Sequence, residues 1–394
     1  MIPFAILSIR NKIPQIGGIK KIATVGLGHL FLTDDGKLYA YGQNTNGRFG
    51  SGNANDLTTM TLIKTGVADI YYNQRTTILF MNDGSVLACG SMLAYGLTPT
   101  VSYTYLDVTS IFSAIAGFTS FSISMENTNT FCICAVMPDG RLMSMGYNNR
   151  GQFGRGNTTN SLGVFVQTST DVKKVIHIQI GTTVILKTDG TVLFSGYYIL
   201  TSGTNDIISF TTANISCTDI MSDGYNGGLF LITTGGIFFR GGSGGYYGIS
   251  STATLGVNNR ITLPFLYNTS TFKLYVSNSF GVQSAWISNG VQSYASGPNT
   301  ANFGRLGVGP TSVNPPSTWT AMPTNIDPTW NIRYVVSANQ YSAFITDTGN
   351  VYASGAFGGY QAAPGGTSYT GAQLVNYPGS LPTVLTLQPI QIQL

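Results

Sequence analysis

The stretch FLTDDGKLYAYG, residues 31–42, runs as an apolar alternating segment, a turn ending in Gly, a second alternating segment and a second Gly. An Asp-Gly or Asn-Gly pair between two period-2 runs specifies a β-hairpin, because the tight turn needs a positive φ that Gly accepts without steric cost. The pattern returns as LFMNDGSVLACG (79–90), AVMPDGRLMSMG (135–146), ILKTDGTVLFSG (185–196), LITTGGIFFRGG (231–242), AWISNGVQSYASG (285–297) and FITDTGNVYASG (344–355). Its turn glycines, Gly36, Gly84, Gly140, Gly190, Gly236, Gly290 and Gly349, stand about 52 residues apart on average, within the range of propeller repeats. The second Gly follows six residues after the first, except from Gly290 to Gly297, where a separation of seven implies a bulged strand.

A lone hairpin is at best marginal in water, so each period needs further strands. The segments ahead of the hairpins supply them: IKKIATVGLG, VADIYYNQ, TSIFSAIAGF, KKVIHIQIG, CTDIMSDG, FKLYVSNSF and IRYVVSANQ. Three or four strands in each of seven periods describe an all-β fold, a seven-bladed β-propeller spanning residues 1–394 as one domain. Radial closure removes the open edges that a sheet of this length would present. Two terminal stretches, 2–9 (IPFAILSI) and 383–394 (TVLTLQPIQIQL), lie outside the hairpins. One is expected to close the ring and the other to contact a neighbouring subunit by strand addition.

Charged residues make up only 9% of the chain against a usual value of about 25%, while Gly numbers 49 and aromatics reach 12%. An apolar fraction of 43% with a net charge of +4 excludes intrinsic disorder. Basic residues are scattered apart from Lys20-Lys21 and Lys173-Lys174, so no stripe exists to compete with counterions on a phosphate backbone. The expected partners exclude nucleic acid, and with no apolar run of membrane-spanning length, membrane insertion too. The opening MIPFAILSIRNKIP has its charges after the apolar run, which argues against a secretory signal. Cys89, Cys132, Cys134 and Cys217 read as small buried apolar residues, Cys132 and Cys134 sharing one face of a strand.

After the hairpin three periods carry a further motif: GQNTNGRFGSGN (Gly42–Asn53), GYNNRGQFGRGN (Gly146–Asn157) and, more loosely, GPNTANFGRLGVG (Gly297–Gly309). With Gly26-x-x-His29 ahead of the first hairpin, this resembles the repeat of the regulator of chromosome condensation family, over about residues 20–360. The resemblance implies a seven-bladed propeller and a structural place for His29 between blades. The founding member's nucleotide exchange activity sits on loops and a basic tail that have no match here. Relatives of the architecture include propellers that inhibit β-lactamases, so function does not follow from fold. The charge-poor Thr, Asn, Ser, Gly and Tyr composition is similar to that of bacteriophage tail and spike proteins.

No catalytic residue is assigned. Gly241-Gly242-Ser243-Gly244-Gly245 satisfies the nucleophile-elbow pattern, but it sits in a Gly-rich loop and the chain has only His29 and His177 to complete a triad. No Cys-x-x-Cys or His-x-x-x-His pair marks a metal site, and no cofactor is expected. Of the 15 acids, Asp35, Asp83, Asp139 and Asp189 belong to turns. The sequons at Asn157, Asn214 and Asn268 carry weight only in a eukaryotic secretory context.

Candidate contact residues are the loop aromatics Tyr197, Tyr198, Tyr246, Tyr247, Phe357 and Tyr360, in periods lacking the Gly-x-Phe-Gly loop, with Trp319 and Trp330 on an insertion at 309–330. The expected function is therefore a non-catalytic binding or structural propeller, displayed on a phage tail or capsid after synthesis in the host cytoplasm. Its partners would be virion proteins and a host-surface glycan or protein. The alternatives are a cytoplasmic protein-binding inhibitor or scaffold and, third, a glycoside hydrolase.

Overall fold

The computed structural model describes residues 19–25, 28–124, 131–178, 181–197, 200–201, 205–222, 228–241, 247, 249, 256–276, 284–297, 306, 318–321, 332–337, 341–346, 351–355 and 384–390. They form seven four-stranded antiparallel sheets, each built from strands consecutive in sequence. The first holds β1 (Ile19–Val25), β2 (Gly28–Thr33), β3 (Leu38–Gly42) and β4 (Leu57–Lys64), the second β5 (Val67–Tyr72), β6 (Thr76–Met81), β7 (Val86–Ser91) and β8 (Val101–Asp107). The third comprises β9 (Ser120–Ile123), β10 (Cys132–Val136), β11 (Leu142–Gly146) and β12 (Ser161–Ser169), the fourth β13 (Val172–Ile178), β14 (Thr182–Lys187), β15 (Thr191–Gly196) and β16 (Ile207–Ser216). The fifth is β17 (Asp219–Ser222), β18 (Leu229–Thr233), β19 (Gly236–Arg240) and β20 (Asn259–Arg260), the sixth β21 (Lys273–Val276), β22 (Ala285–Ser288), β23 (Ser293–Ser296) and β24 (Thr320–Ala321). The last contains β25 (Ile332–Ser337), β26 (Tyr341–Thr346), β27 (Val351–Gly355) and β28 (Val384–Ile390).

The first strand of every sheet lines one central channel, and β1 packs against β25, so the sheets close into a ring as blades of a propeller. Among the described strands none crosses the seam between the last blade and the first. β28 pairs with β27 inside the last blade, and the stretch 2–9 lies outside the described residues.

The middle two strands of each blade are the hairpins. Their Asp side chains turn back on the chain: Asp83 Oδ1 accepts from Ser85 N at 2.9 Å, Asp139 Oδ1 from Arg141 N at 3.1 Å and Asp189 Oδ1 from Thr191 N at 2.8 Å. Asp35 pairs with Lys37 at 2.7 Å, and that hydrogen bond holds its carboxyl below the usual range. The second Gly of the pattern has a separate cause. Gly196, at φ 103°, presses its Cα against the Gly181 carbonyl, which accepts from Tyr197 N at 3.1 Å. A Cβ there would overlap that oxygen, and Gly90 and Gly146 meet the carbonyls of Arg75 and Phe131 in the same way.

Two expectations are corrected. The sixth hairpin has no bulge: β22 and β23 pair in unbroken register from Ala285–Ser296 to Ser288–Ser293, and the odd spacing is absorbed by the turn, where Asn289 N donates to Gln292 O. Nor is TSIFSAIAGF a strand. It forms the short helix α1 (Thr109–Phe112) and a following 3-10 turn, the Thr109 amide donating to Asp107 Oδ1 at 2.8 Å. Phe112 and Ile115, spaced for one helical face, are buried between blades two and three, and the blade's inner strand begins only at Ser120.

The loop between the third and fourth strands drives one side chain into the wedge between blades. Phe49, Tyr95, Phe153, Leu200, Tyr247 and Leu306 fill this place in blades one to six, all essentially without exposure. In blades one and three the motif organises the loop around a buried Asn. Asn148 Oδ1 accepts from Phe153 N at 2.7 Å, Nδ2 donates to Asn157 O at 2.9 Å, and its own N–H donates to Asn160 Oδ1 at 2.8 Å. Asn44 repeats the arrangement with Phe49 N, Asn53 O and Asp56 Oδ1. The motif glycines exist for contact: a Cβ at Gly151 or Gly154 would run into Ile208 or Phe210 of β16, and one at Gly47 or Gly50 into Tyr103 or Tyr105 of β8. The loop thus lies directly on the outer strand of the next blade, joined by Gly52 N to Tyr103 O and Gly156 N to Ile208 O.

Candidate functional site

The channel has a volume of about 450 Å³. Tyr71 and Tyr72 of β5, Phe121 of β9, Ile176 of β13, Met221 of β17 and Tyr275 of β21 form a half-buried aromatic and aliphatic collar on its wall. Tyr71 and Phe121 approach to 4.4 Å between ring centroids, and Lys21 Nζ stands 4.3 Å from the Tyr71 ring centre. Burial pushes the Tyr71 hydroxyl well above the ordinary phenol range, with the Asp69 carboxylate adding to it.

The two cations in the wall are tied down. Lys21 Nζ bonds Asp69 Oδ1 at 2.9 Å and Ile70 O at 2.6 Å, both on the next blade. Lys174 Nζ reaches Asp219 Oδ1 at 2.7 Å across the following blade boundary. The neighbouring lysines act alike, Lys20 on Ala68 O at 2.5 Å and Lys173 on Thr218 O at 3.2 Å. The two Lys-Lys pairs noted in the sequence are therefore blade-to-blade latches. Among the described lining residues no Asp or Glu appears, so the wall offers contact area, hydroxyls and one imidazole.

That imidazole belongs to His177, buried between β9–β12 and β13–β16. Its Nδ1 lies 2.8 Å from Ser122 Oγ and its Nε2 3.1 Å from Cys132 Sγ. Cys134 Sγ, 3.2 Å from Ser144 Oγ, completes a group whose donor atoms all lie within 4.8 Å of one another. Burial opposes ionisation of Cys134, but hydrogen bonds from Cys132, His177 and Ser144 and the His177 charge outweigh it and hold the thiol well below its ordinary value. All four cysteines are buried thiols outside any disulfide, and burial pushes Cys89 and Cys217 up to about 12. Reading Cys132 and Cys134 as inert apolar filling misses a partner supplied by the next blade, which sequence spacing does not reveal. His29, in β2, is driven down to about 4 by burial and by the Arg48 guanidinium.

The loop aromatics divide. Tyr247 is a core residue, packed on Phe230 and Phe239 at 4.9 and 5.3 Å between centroids, so its assignment as a contact residue is corrected. Trp319 precedes β24 and is partly buried against the same cluster. Tyr197 is half-buried beneath Arg150, whose guanidinium carbon lies 4.7 Å from the ring centre and whose Nη1 pairs with Asp206 at 3.3 Å. Tyr198, Tyr246, Trp330, Phe357 and Tyr360 lie outside the described residues, as do residues 242–245 of the Gly-x-Ser-x-Gly stretch. The collar residues carry no signal in the sequence that sets them apart from core positions, and Tyr71 and Phe121 do pack one side against the wedge between blades two and three while the other faces the channel.

Sequence comparison finds no matching family and no matching curated protein. Among solved structures, human WBSCR16 superposes with a TM-score of 0.61 at 15% identity, covering 91% of this chain and 94% of that one. The chain has the β-propeller fold. Prp20p from Saccharomyces cerevisiae, studied for its binding to Gsp1p and histones, aligns at TM-score 0.46 and 13% identity over 95% of this chain and 77% of that one. Yeast RCC1 (Prp20) in complex with Kap60 aligns at 0.45 and 13% over 95% and 75%.

Proposed function

We propose that this chain is a non-catalytic binding propeller that takes a protein partner at the mouth of its channel. The observation behind this is the collar of Tyr71, Phe121, Met221 and Tyr275, large apolar and amphipathic side chains held half-open on rigid inner strands beside cations already neutralised by the next blade. Aromatic anchors on a preorganised wall give contact area at low entropic cost. In the same reading the chain is a bacteriophage virion component, made in the host cytoplasm and displayed on the tail or capsid, where it meets neighbouring virion proteins or a host-surface protein or glycan. The charged fraction of 9% supports this, since long-lived exposure outside a cell favours compact, neutral β-structure over a charged face.

Quantitative mass spectrometry of purified particles tests the assignment. A fixed copy number per particle, with Tyr71→Ala/Tyr275→Ala particles showing reduced assembly or adsorption, is the expected result. Absence from particles together with a stable cytoplasmic complex would replace it with the scaffold reading.

A further inference from the structure

We infer that Cys132, Cys134 and His177 form a binding site for a thiophilic divalent d10 cation of the zinc class, set in the wedge between the third and fourth blades beside the channel. Residues i and i+2 of a strand project to one face, so β10 directs both thiols toward β13, and β13 returns one imidazole nitrogen to them. A tetrahedral zinc with bonds of about 2.3 Å to sulfur and 2.0–2.1 Å to nitrogen needs its donors roughly 3.5–3.8 Å apart. The three donor atoms already lie within 4.8 Å of one another, and Cys132 Sγ to His177 Nε2 at 3.1 Å has only to open by a few tenths of an ångström.

The surroundings fit as well. Metal-bound histidines orient through their other nitrogen, and His177 Nδ1 rests on Ser122 Oγ at 2.8 Å, which leaves Nε2 facing sulfur. Cys134 Sγ is steadied by Ser144 Oγ, itself 2.9 Å from Thr168 Oγ1. Two thiolates and a neutral imidazole carry two negative charges in a buried wedge, and a divalent ion cancels them where a monovalent one leaves a charge uncompensated. His177 and Ser122 both border the channel, which gives the ion a route in. Three protein donors leave one coordination position for an outside ligand.

The test uses the full-length chain, reduced, stripped with a chelator, then titrated with Cd2+ both folded and during refolding, with sulfur-to-cadmium charge-transfer absorption as readout. Saturation at one equivalent per chain, reversed by Zn2+, and a zinc-dependent rise in the thermal midpoint are expected. Cys134→Ser should abolish the band, and Cys89→Ala/Cys217→Ala, which removes the other two thiols, should keep it in full. If Cys134→Ser fails to fold, the wild-type and Cys89→Ala/Cys217→Ala titrations decide alone. A wild-type chain with no band under either regime, or a band lost with Cys89 and Cys217, overturns the site.

Discussion

A methyl group added at Gly196 would have to displace the Gly181 carbonyl and hold a φ of 103°, which L side chains rarely adopt. Strain of this kind costs about 1–3 kcal/mol before the clash is counted, so Gly196→Ala should lose about 2–4 kcal/mol in denaturant unfolding with an unchanged m-value. His29 gives a pH signature. Its folded pKa of about 4 lies below the ordinary imidazole value of 6.5, so the unfolded chain binds the extra proton between those limits. Stability from this group is therefore complete above about pH 6.5, falls as the pH drops and levels off near pH 4, a total of roughly 3 kcal/mol. Unfolding midpoints measured from pH 7 to pH 4 should show this slope, and His29→Gln should flatten it.

At the scale of the element, the hairpins were legible because Asp-Gly turns and period-2 runs are local chemistry, visible in any twelve-residue window. The loop motif was legible as a resemblance, but its physical content was not: Asn148 matters because it ties Phe153 to Asn157 inside a wedge whose other wall, Phe210, stands more than fifty residues along the chain. Asn148→Ala strands a buried amide and a carbonyl, so a loss of about 2–3 kcal/mol is expected in thermal unfolding. The segment TSIFSAIAGF misled because its apolar residues satisfy helical spacing as well as a strand's; the Asp107 side chain, accepting from Thr109 N, makes the turn that leads into the helix. The blade latches are weaker. A double-mutant cycle on Lys174→Met and Asp219→Asn should return a coupling near 0.5 kcal/mol that shrinks with salt, as befits a pair about one-third exposed.

For the whole molecule, the described strands hold the ring together by packing between blades, each ladder lying within one blade. β28 is the outermost ladder of the last blade, so a chain ending before residue 384 exposes the edge of β27. Light scattering should then show self-association, while the full chain does not pair through this edge. The candidate site was the least legible level. Period and spacing describe one blade at a time, whereas the collar draws on five inner strands and the Cys132–Cys134–His177 group on two blades. The loop of blade five lacks the motif, which made Tyr247 a candidate contact residue, and the structure turns it inward to fill the wedge that Phe153 fills in blade three.

Because every ladder among the described strands joins neighbours in sequence, no described strand made early in synthesis waits for one made at the end. A nascent chain completes each sheet within one repeat of leaving the ribosome. What remains provisional is only the face it turns toward the next sheet, where the Asn44 and Asn148 loops are laid down before β8 and β16 exist to receive them. Synthesis thus proceeds as a relay in which each finished blade is the template on which its successor docks, and the last event, β1 against β25, is the meeting of two surfaces already formed.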